Sequence, residues 1–227
     1  ISISNFNGVG GGTILYNGHF PRFHPSDFRV KTLDGVADDW PIDYATLAPF
    51  YAVNDRITGV AGLAGDPANP PHADPNVLLP PLPLGKSAGA IGTGFNAKGW
   101  HWWPSDAAIA TQEHDGRASC INLGACLSGC AQGAKASTDI TYWPHAIRRG
   151  VELRTRCRVR EISLGDDGMA NGVWYYDKLG EEQFQAAAVV ILATNGVGTP
   201  RLLLNSKSTR FPDGLANSSG LVGKNLM

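Results

Sequence analysis

The run Ala186-Ala187-Ala188-Val189-Val190-Ile191-Leu192 is continuously apolar, and Ala193-Thr194-Asn195-Gly196-Val197-Gly198-Thr199-Pro200 follows it directly. A strand without polar alternation has no face to give to water, so it belongs in a parallel sheet covered on both sides. The glycines then turn the chain, and Arg201 to Asn205 begins a helix with Pro200 near its first turn. Strand, glycine turn and helix start together predict an α/β protein. Such a turn is also where α/β proteins bind ligands. The helix N-terminus offers unpaired N–H groups, and glycine lets a phosphate approach the backbone. Taken alone, the motif more often describes an ordinary strand, turn and helix.

The rest of the chain supplies both element types. Leu47 to Ile57 reads as a helix with Leu47, Phe50, Tyr51 and Ile57 on one face, Pro49 in its first turn and Gly59 as its stop. Ser87 to Lys98 reads as a second helix, stopped by Gly99, and Asp139 is placed to cap a third that runs to Arg149. Ile1, Ile3 and Phe6 alternate with polar neighbours, a short strand signal. Residues 151–176 alternate in three stretches, Val151 to Thr155, Val159 to Leu164 and Val173 to Tyr176, separated by turn residues such as Gly165-Asp166-Asp167-Gly168. That pattern predicts a β-meander. Residues 66–84 hold seven prolines and predict an extended excursion, yet Val77, Leu78 and Leu79 require it to pack on the protein surface.

Composition narrows the function classes. At 43% hydrophobic residues the chain is able to bury a core, which excludes disorder. A formal charge of −1 without Lys and Arg clusters gives no electrostatic footprint for nucleic acid. No apolar run reaches the roughly 20 residues of a membrane span. The opening Ile1-Ser2-Ile3-Ser4 is not a charged and apolar leader, and compartment is not legible from it.

Gly8-Val9-Gly10-Gly11-Gly12-Thr13 forms a glycine-rich loop, and Ile14-Leu15-Tyr16 after it opens either a helix or a buried strand. Gly8-x-Gly10-x-x-Thr13 lacks the third glycine of a dinucleotide fingerprint and stands in no recognisable βαβ unit with an acidic residue about 20 positions on. The loop still permits close backbone approach to a flat or anionic group. The plainer alternative is a tight turn that uses glycine for positive φ.

Four segments in order resemble the glucose-methanol-choline family of FAD oxidoreductases. Gly8 to Thr13, with Asn17-Gly18 at matching distance, is similar to the family's Gly-Leu-Gly-Gly-Ser-Ser, three variable residues, Asn-Gly. Trp40-Pro41-Ile42-Asp43-Tyr44 and Leu47-Ala48-Pro49-Phe50-Tyr51 match its Trp-Pro-Ile-x-Tyr and Leu-x-Pro-Tyr-Tyr run. Ala193 to Leu204 resembles its Ala-Ala-Gly-Ala-Ile-Gly-Thr-Pro-x-Leu-Leu-Leu signature, with Asn195 in place of a usual glycine. Leu221 to Met227 resembles its Gly-Arg-Asn-Leu segment.

The resemblance implies a Rossmann-like α/β FAD-binding domain from residues 1–22 and 119–227, with residues 23–118 inserted as substrate-domain or lid material. It implies that Val9, Gly10, Gly11, Thr13, Asn17 and Gly18 lie along the flavin, that Val159 meets the adenine edge, and that Ala193, Thr194 and Asn195 complete the cofactor site. Leu15 occupies the position of the His that carries FAD covalently in some members, so no covalent link is expected there. The implied reaction oxidises an alcohol, a sugar or related polyol, passing hydride to flavin N5. The family's phosphate-binding Gly-x-Gly-x-x-Gly is expected before residue 1 and its catalytic His beyond Met227. This chain therefore resembles an interior section, completed by companion chains or further sequence. No catalytic residue is assigned within it, and it is not expected to oxidise alcohols alone.

Cys120, Cys126 and Cys130 resemble in spacing three cysteines that bind an iron–sulfur cluster in some members, a reading that makes the protein a dehydrogenase passing electrons to a cytochrome. Small thiols packed in a tight loop are the reading adopted, with no metal. A scaffold used only for interaction is the non-enzymatic alternative. His19 reads as a structural histidine or as one facing flavin or substrate, His101 as a structural histidine, and Trp100, Trp102 and Trp103 as core, contact or stacking residues.

Overall fold

The computed structural model describes residues 6–72 and 74–225. The chain divides into two compact units, Ile1–Val151 and Glu152–Met227. All of the strand expected over residues 1 to 6 except Phe6 lies outside the described residues.

Small residues set the architecture of the first unit. Val60, Ala61, Leu79, Ala107, Ala108, Ala110, Ala134 and Ala136 are buried. Their backbones bond one another directly. Ala61 and Ala107 exchange N–H···O bonds of 2.7 and 2.8 Å, Ala108 donates to the Gly18 carbonyl at 2.7 Å, and Ala136 donates to Ala108 at 2.8 Å. Methyl-sized side chains allow these segments to approach without a long regular ladder. The proline-rich stretch packs as expected: Val77 and Leu79 are buried, Leu79 N–H donates to Val60 O at 2.8 Å, and the Thr111 hydroxyl donates to Pro80 O at 2.7 Å.

Among the described residues the first unit also carries four α-helices, α1 (Val30–Asp34), α2 (Tyr44–Thr58), α3 (Lys86–Ala97) and α4 (Tyr142–Arg148). The Asp43 carboxylate caps α2 by accepting from Thr46 N–H at 2.9 Å, which starts the helix earlier than the periodicity predicts and moves Pro49 into the second turn. The buried side of α2 is polar, carrying Asp55 and Thr58, whereas Phe50 is 67% exposed. The expected apolar face is therefore corrected at Phe50. Asp55 turns inward because Arg22, itself buried, meets it in a salt bridge, and a buried charge needs such a partner. Trp102 covers α3, where a Cβ on Gly92 would lie 2.8 Å from the indole. Asp139 does not cap α4, whose N-cap is Thr141 with no side-chain cap bond.

The second unit is an antiparallel meander in the order β1 (Arg158–Leu164), β2 (Ala170–Tyr176), β3 (Glu182–Ala186), followed by α5 (Asn195–Asn205). Two turns set the register. Asp167 Oδ1 accepts from Met169 N–H in the first, and Asp177 Oδ1 accepts from Leu179 and Glu181 N–H in the second, so each carboxylate replaces a missing backbone partner. α5 lies on β1. Leu202 and Ile162 are buried, and the Ser206 hydroxyl accepts from Ile162 N–H at 2.9 Å while donating to Leu202 O at 2.7 Å.

Two strand expectations are corrected here. Val151 to Thr155 forms no strand, and the parallel strand expected over Ala186 to Leu192 is absent, with Val189 74% and Ile191 85% exposed. The reason is pairing. Antiparallel contact with β2 ends where Ala187 N–H donates to Asn171 O at 3.0 Å, and no other named strand of the described residues pairs with the segment beyond. Apolar composition selects a buried environment but does not supply a neighbouring ladder.

Candidate cofactor-binding site

The glycine loop is held from one side. Gly10 (φ 96°) and Gly11 (φ 54°) are left-handed, and a 3-10 turn, Gly11–Ile14, follows. The Thr13 hydroxyl donates back to Gly10 O at 2.5 Å and accepts from Thr138 N–H at 3.0 Å, while the Thr138 hydroxyl donates to the same Gly10 carbonyl at 3.1 Å. A Cβ on Gly10 would lie 2.8 Å from Asp139 Oδ1 and from Ile14, and one on Gly18 would lie 2.8 Å from Ile109. These two glycines are required by the protein's own packing. At Gly11 and Gly12 a Cβ would meet nothing within 4 Å. The loop thus has a clamped rear and an open glycine front.

Lys135 completes the clamp. Only 2% exposed, it donates from Nζ to the carbonyls of Ile14 (2.7 Å), Tyr16 (2.8 Å) and Thr13 (3.3 Å), and the ammonium stands 4.8 Å from the Tyr16 ring centroid. Burial lowers the Lys135 pKa against the opposing fields of Cys126, Cys130 and Asp139. Burial pushes the Tyr16 phenol up to about 12, against the field of Arg117, and its hydroxyl donates to Ala136 O at 2.9 Å. Asn17 is exposed and accepts from His19 N–H at 3.1 Å, while Val9 and Leu15 are exposed on the same loop.

Cys120, Cys126 and Cys130 line one cavity of about 690 Å³ with Leu82, Ile109 and Leu123. Burial alone would raise the Cys130 thiol, but N–H groups of Lys135, Gln132, Ala134 and Gly133 directed at its sulfur hold it below the ordinary thiol range. Among the described residues, no group of three His, Cys, Asp or Glu side chains converges closely enough to hold a metal ion.

The remaining expected cofactor residues belong to the second unit. Val159 lies exposed on β1, opposite Tyr175 on β2. Ala193 and Thr194 are exposed before α5. Asn195 is left-handed (φ 64°), and its Oδ1 accepts from Val197 and Gly198 N–H at 2.8 and 2.9 Å. The departure from glycine therefore has a structural consequence: the Asn195 side chain already occupies two amides of the first helical turn.

The two histidines singled out in the sequence make carboxylate or backbone contacts: His101 meets Asp66 at 2.7 Å, and His19 forms a backbone bridge with Ala107. His145 likewise meets Asp115 at 2.6 Å. Sequence reasoning missed Lys135 and Thr138. The one signal for Lys135 is a charged residue among small ones in Gly133-Ala134-Lys135-Ala136. It also missed the buried cluster in which His72 stands between Asp106 (3.2 Å) and Asp55 (3.9 Å), beside Arg22.

This chain belongs to the GMC oxidoreductase family, whose model matches residues 105–227. It is 45% identical, over 97% of its length, to 2-methyl-1,2-propanediol dehydrogenase of Mycolicibacterium austroafricanum, covering 40% of that protein. It is 33% identical over 96% of its length to paromamine 6'-oxidase of Streptomyces fradiae, and 28% identical over 97% to the fructose dehydrogenase large subunit of Gluconobacter japonicus, again covering 40% of each. The chain thus spans about 40% of the length of these relatives. No helix of the described residues is long and apolar enough to cross a membrane.

Proposed function

We propose that this chain is the flavin-contacting part of an FAD-dependent enzyme that oxidises the hydroxyl of a small alcohol or polyol. The observation that carries the reading is the one-sided glycine loop: a rigid rear, and a front at Gly11 and Gly12 open to a flat group. FAD fits this loop, because planar rings need a surface free of Cβ atoms. When bound, FAD supplies the hydride acceptor, flavin N5. Val9, Gly10, Gly11, Thr13, Asn17 and Gly18 present backbone to the ring. Val159 receives the adenine edge, and Ala193, Thr194 and Asn195 line the remaining cofactor path. The FAD-binding domain comprises residues 1–22 and 119–227, with 23–118 as inserted substrate-domain material. No catalytic residue is assigned within these residues. The names of the relatives, a propanediol dehydrogenase and a paromamine 6'-oxidase among them, support a hydroxyl-bearing substrate.

The test is anaerobic titration of the purified full-length protein with a vicinal diol, followed by its visible flavin band. Bleaching is expected, and a colourless protein overturns the reading. The spacing of Cys120, Cys126 and Cys130 carries a second reading, a cluster-bearing dehydrogenase that feeds a cytochrome. The first reading predicts no iron and no acid-labile sulfide in anaerobically purified enzyme. About three irons per chain, lost on Cys126→Ser, would select the second.

A further inference from the structure

We propose that Lys135 is the positioning residue of the flavin loop, holding it from behind so that its glycine face stays set against the ring. The inference rests on the reading of Gly8 to Gly18 as the flavin loop. An ammonium carries three donors and no acceptor. In Lys135 all three are matched by carbonyls of one short turn, those of Thr13, Ile14 and Tyr16. Tight turns orphan such carbonyls, and a lone buried carbonyl or ammonium is costly. Here each satisfies the other. The lysine lies 119 to 122 residues away in sequence, so the turn depends on a tertiary contact rather than on its own local bonding.

The direction of the clamp matters as much as its strength. Lys135 and Thr138 reach the loop from the same segment, and both engage its carbonyls. Gly11 and Gly12 have open space where side chains would stand. A contact that only stabilised the fold would not need to leave that face bare. The partners of Lys135 Nζ are neutral carbonyls; burial lowers its pKa, and Cys126, Cys130 and Asp139 oppose that. The same residue's backbone N–H donates to Cys130 Sγ at 3.5 Å, which fixes the start of the lysine stem against the cysteine loop.

The test uses the full-length protein with FAD. Lys135→Met keeps an unbranched stem and removes the charge; Lys135→Arg restores charge with a different fork. Three readouts are taken: FAD dissociation at equilibrium, the visible circular dichroism of bound flavin, and far-ultraviolet dichroism for the fold. Losing charge-assisted hydrogen bonds to the loop is expected to weaken FAD binding by about tenfold or more. The flavin dichroism should change with it, the fold should be retained, and Arg should recover part of the loss. Wild-type affinity and an unchanged flavin spectrum in folded Lys135→Met overturn the inference. Wild-type protein that binds no FAD overturns the flavin reading instead. Should Lys135→Met not fold, Lys135→Arg and Thr138→Val decide: altered flavin dichroism in both supports the rear clamp, and wild-type binding and spectra in both overturn it.

Discussion

Gly10, Gly18 and Gly11 sit in one loop but answer to different demands. Gly18 is left-handed at φ 87° with Ile109 where its Cβ would stand, whereas Gly11 faces open space. Gly18→Ala should therefore lose about 2 to 3 kcal/mol of stability from strain and overpacking, read by chemical denaturation. Gly11→Val should lose only about 1 to 2 kcal/mol, the cost of a left-handed non-glycine residue, yet fail to retain flavin. Equal stability losses in the two variants would contradict this division. Tyr16 gives a pH signature. Its folded pKa is raised from 10.0 to about 12, so the folded state holds the phenol proton more tightly. That contribution is complete below pH 10 and lost as pH rises towards about 12. Tyr16→Phe should flatten this part of the alkaline limb in thermal melts taken from pH 9 upward; a limb as steep as in wild type counts against the assignment. The glycines were legible because the absence of a Cβ is itself a sequence signal. Lys135 was not, since carbonyl acceptors belong to every residue and mark no position.

At the scale of elements, sequence located helices better than faces. α2 and α3 end close to where they are expected because Gly59 and Gly99 stop them, whereas the Asp43 cap starts α2 ahead of the expected Leu47. Asp43→Ala should cost about 1 kcal/mol through loss of the cap, and Phe50→Ser should stay within about 0.5 kcal/mol because the side chain is largely in water; urea titration distinguishes them. A large loss at Phe50 would restore the apolar face that hydrophobic periodicity predicts. The buried side of α2 escaped that reasoning because Asp55 is matched by Arg22, a partner 33 residues distant, and periodicity scores such a residue as solvent-facing. The meander was legible in β1 and β2 from alternation and turn residues. The segment after β3 was not, because its apolar run specifies burial while strand formation depends on a partner that sequence does not name.

For the whole molecule, the exposed stretch around Val189 and Ile191 is apolar and lacks a strand partner among the described residues, a combination that invites edge pairing. Residues 1–227 expressed alone should elute as oligomers or aggregates, and paired Val189→Lys and Ile191→Lys substitutions should shift them towards monomer. Monomeric elution of the unsubstituted chain would contradict that. In the full-length protein the same stretch should be protected from hydrogen exchange. The family was legible because four of its motifs stand in order between Gly8 and Met227; substrate preference was not, because no residue of this chain is assigned to the reacting carbon. Whether the open face of the glycine loop carries the flavin is decided by FAD content after purification of wild-type and Gly11→Val full-length protein, both verified as folded. Wild-type protein should be yellow, with near one FAD per chain, and the variant colourless; equal flavin content in the two would refute the assignment.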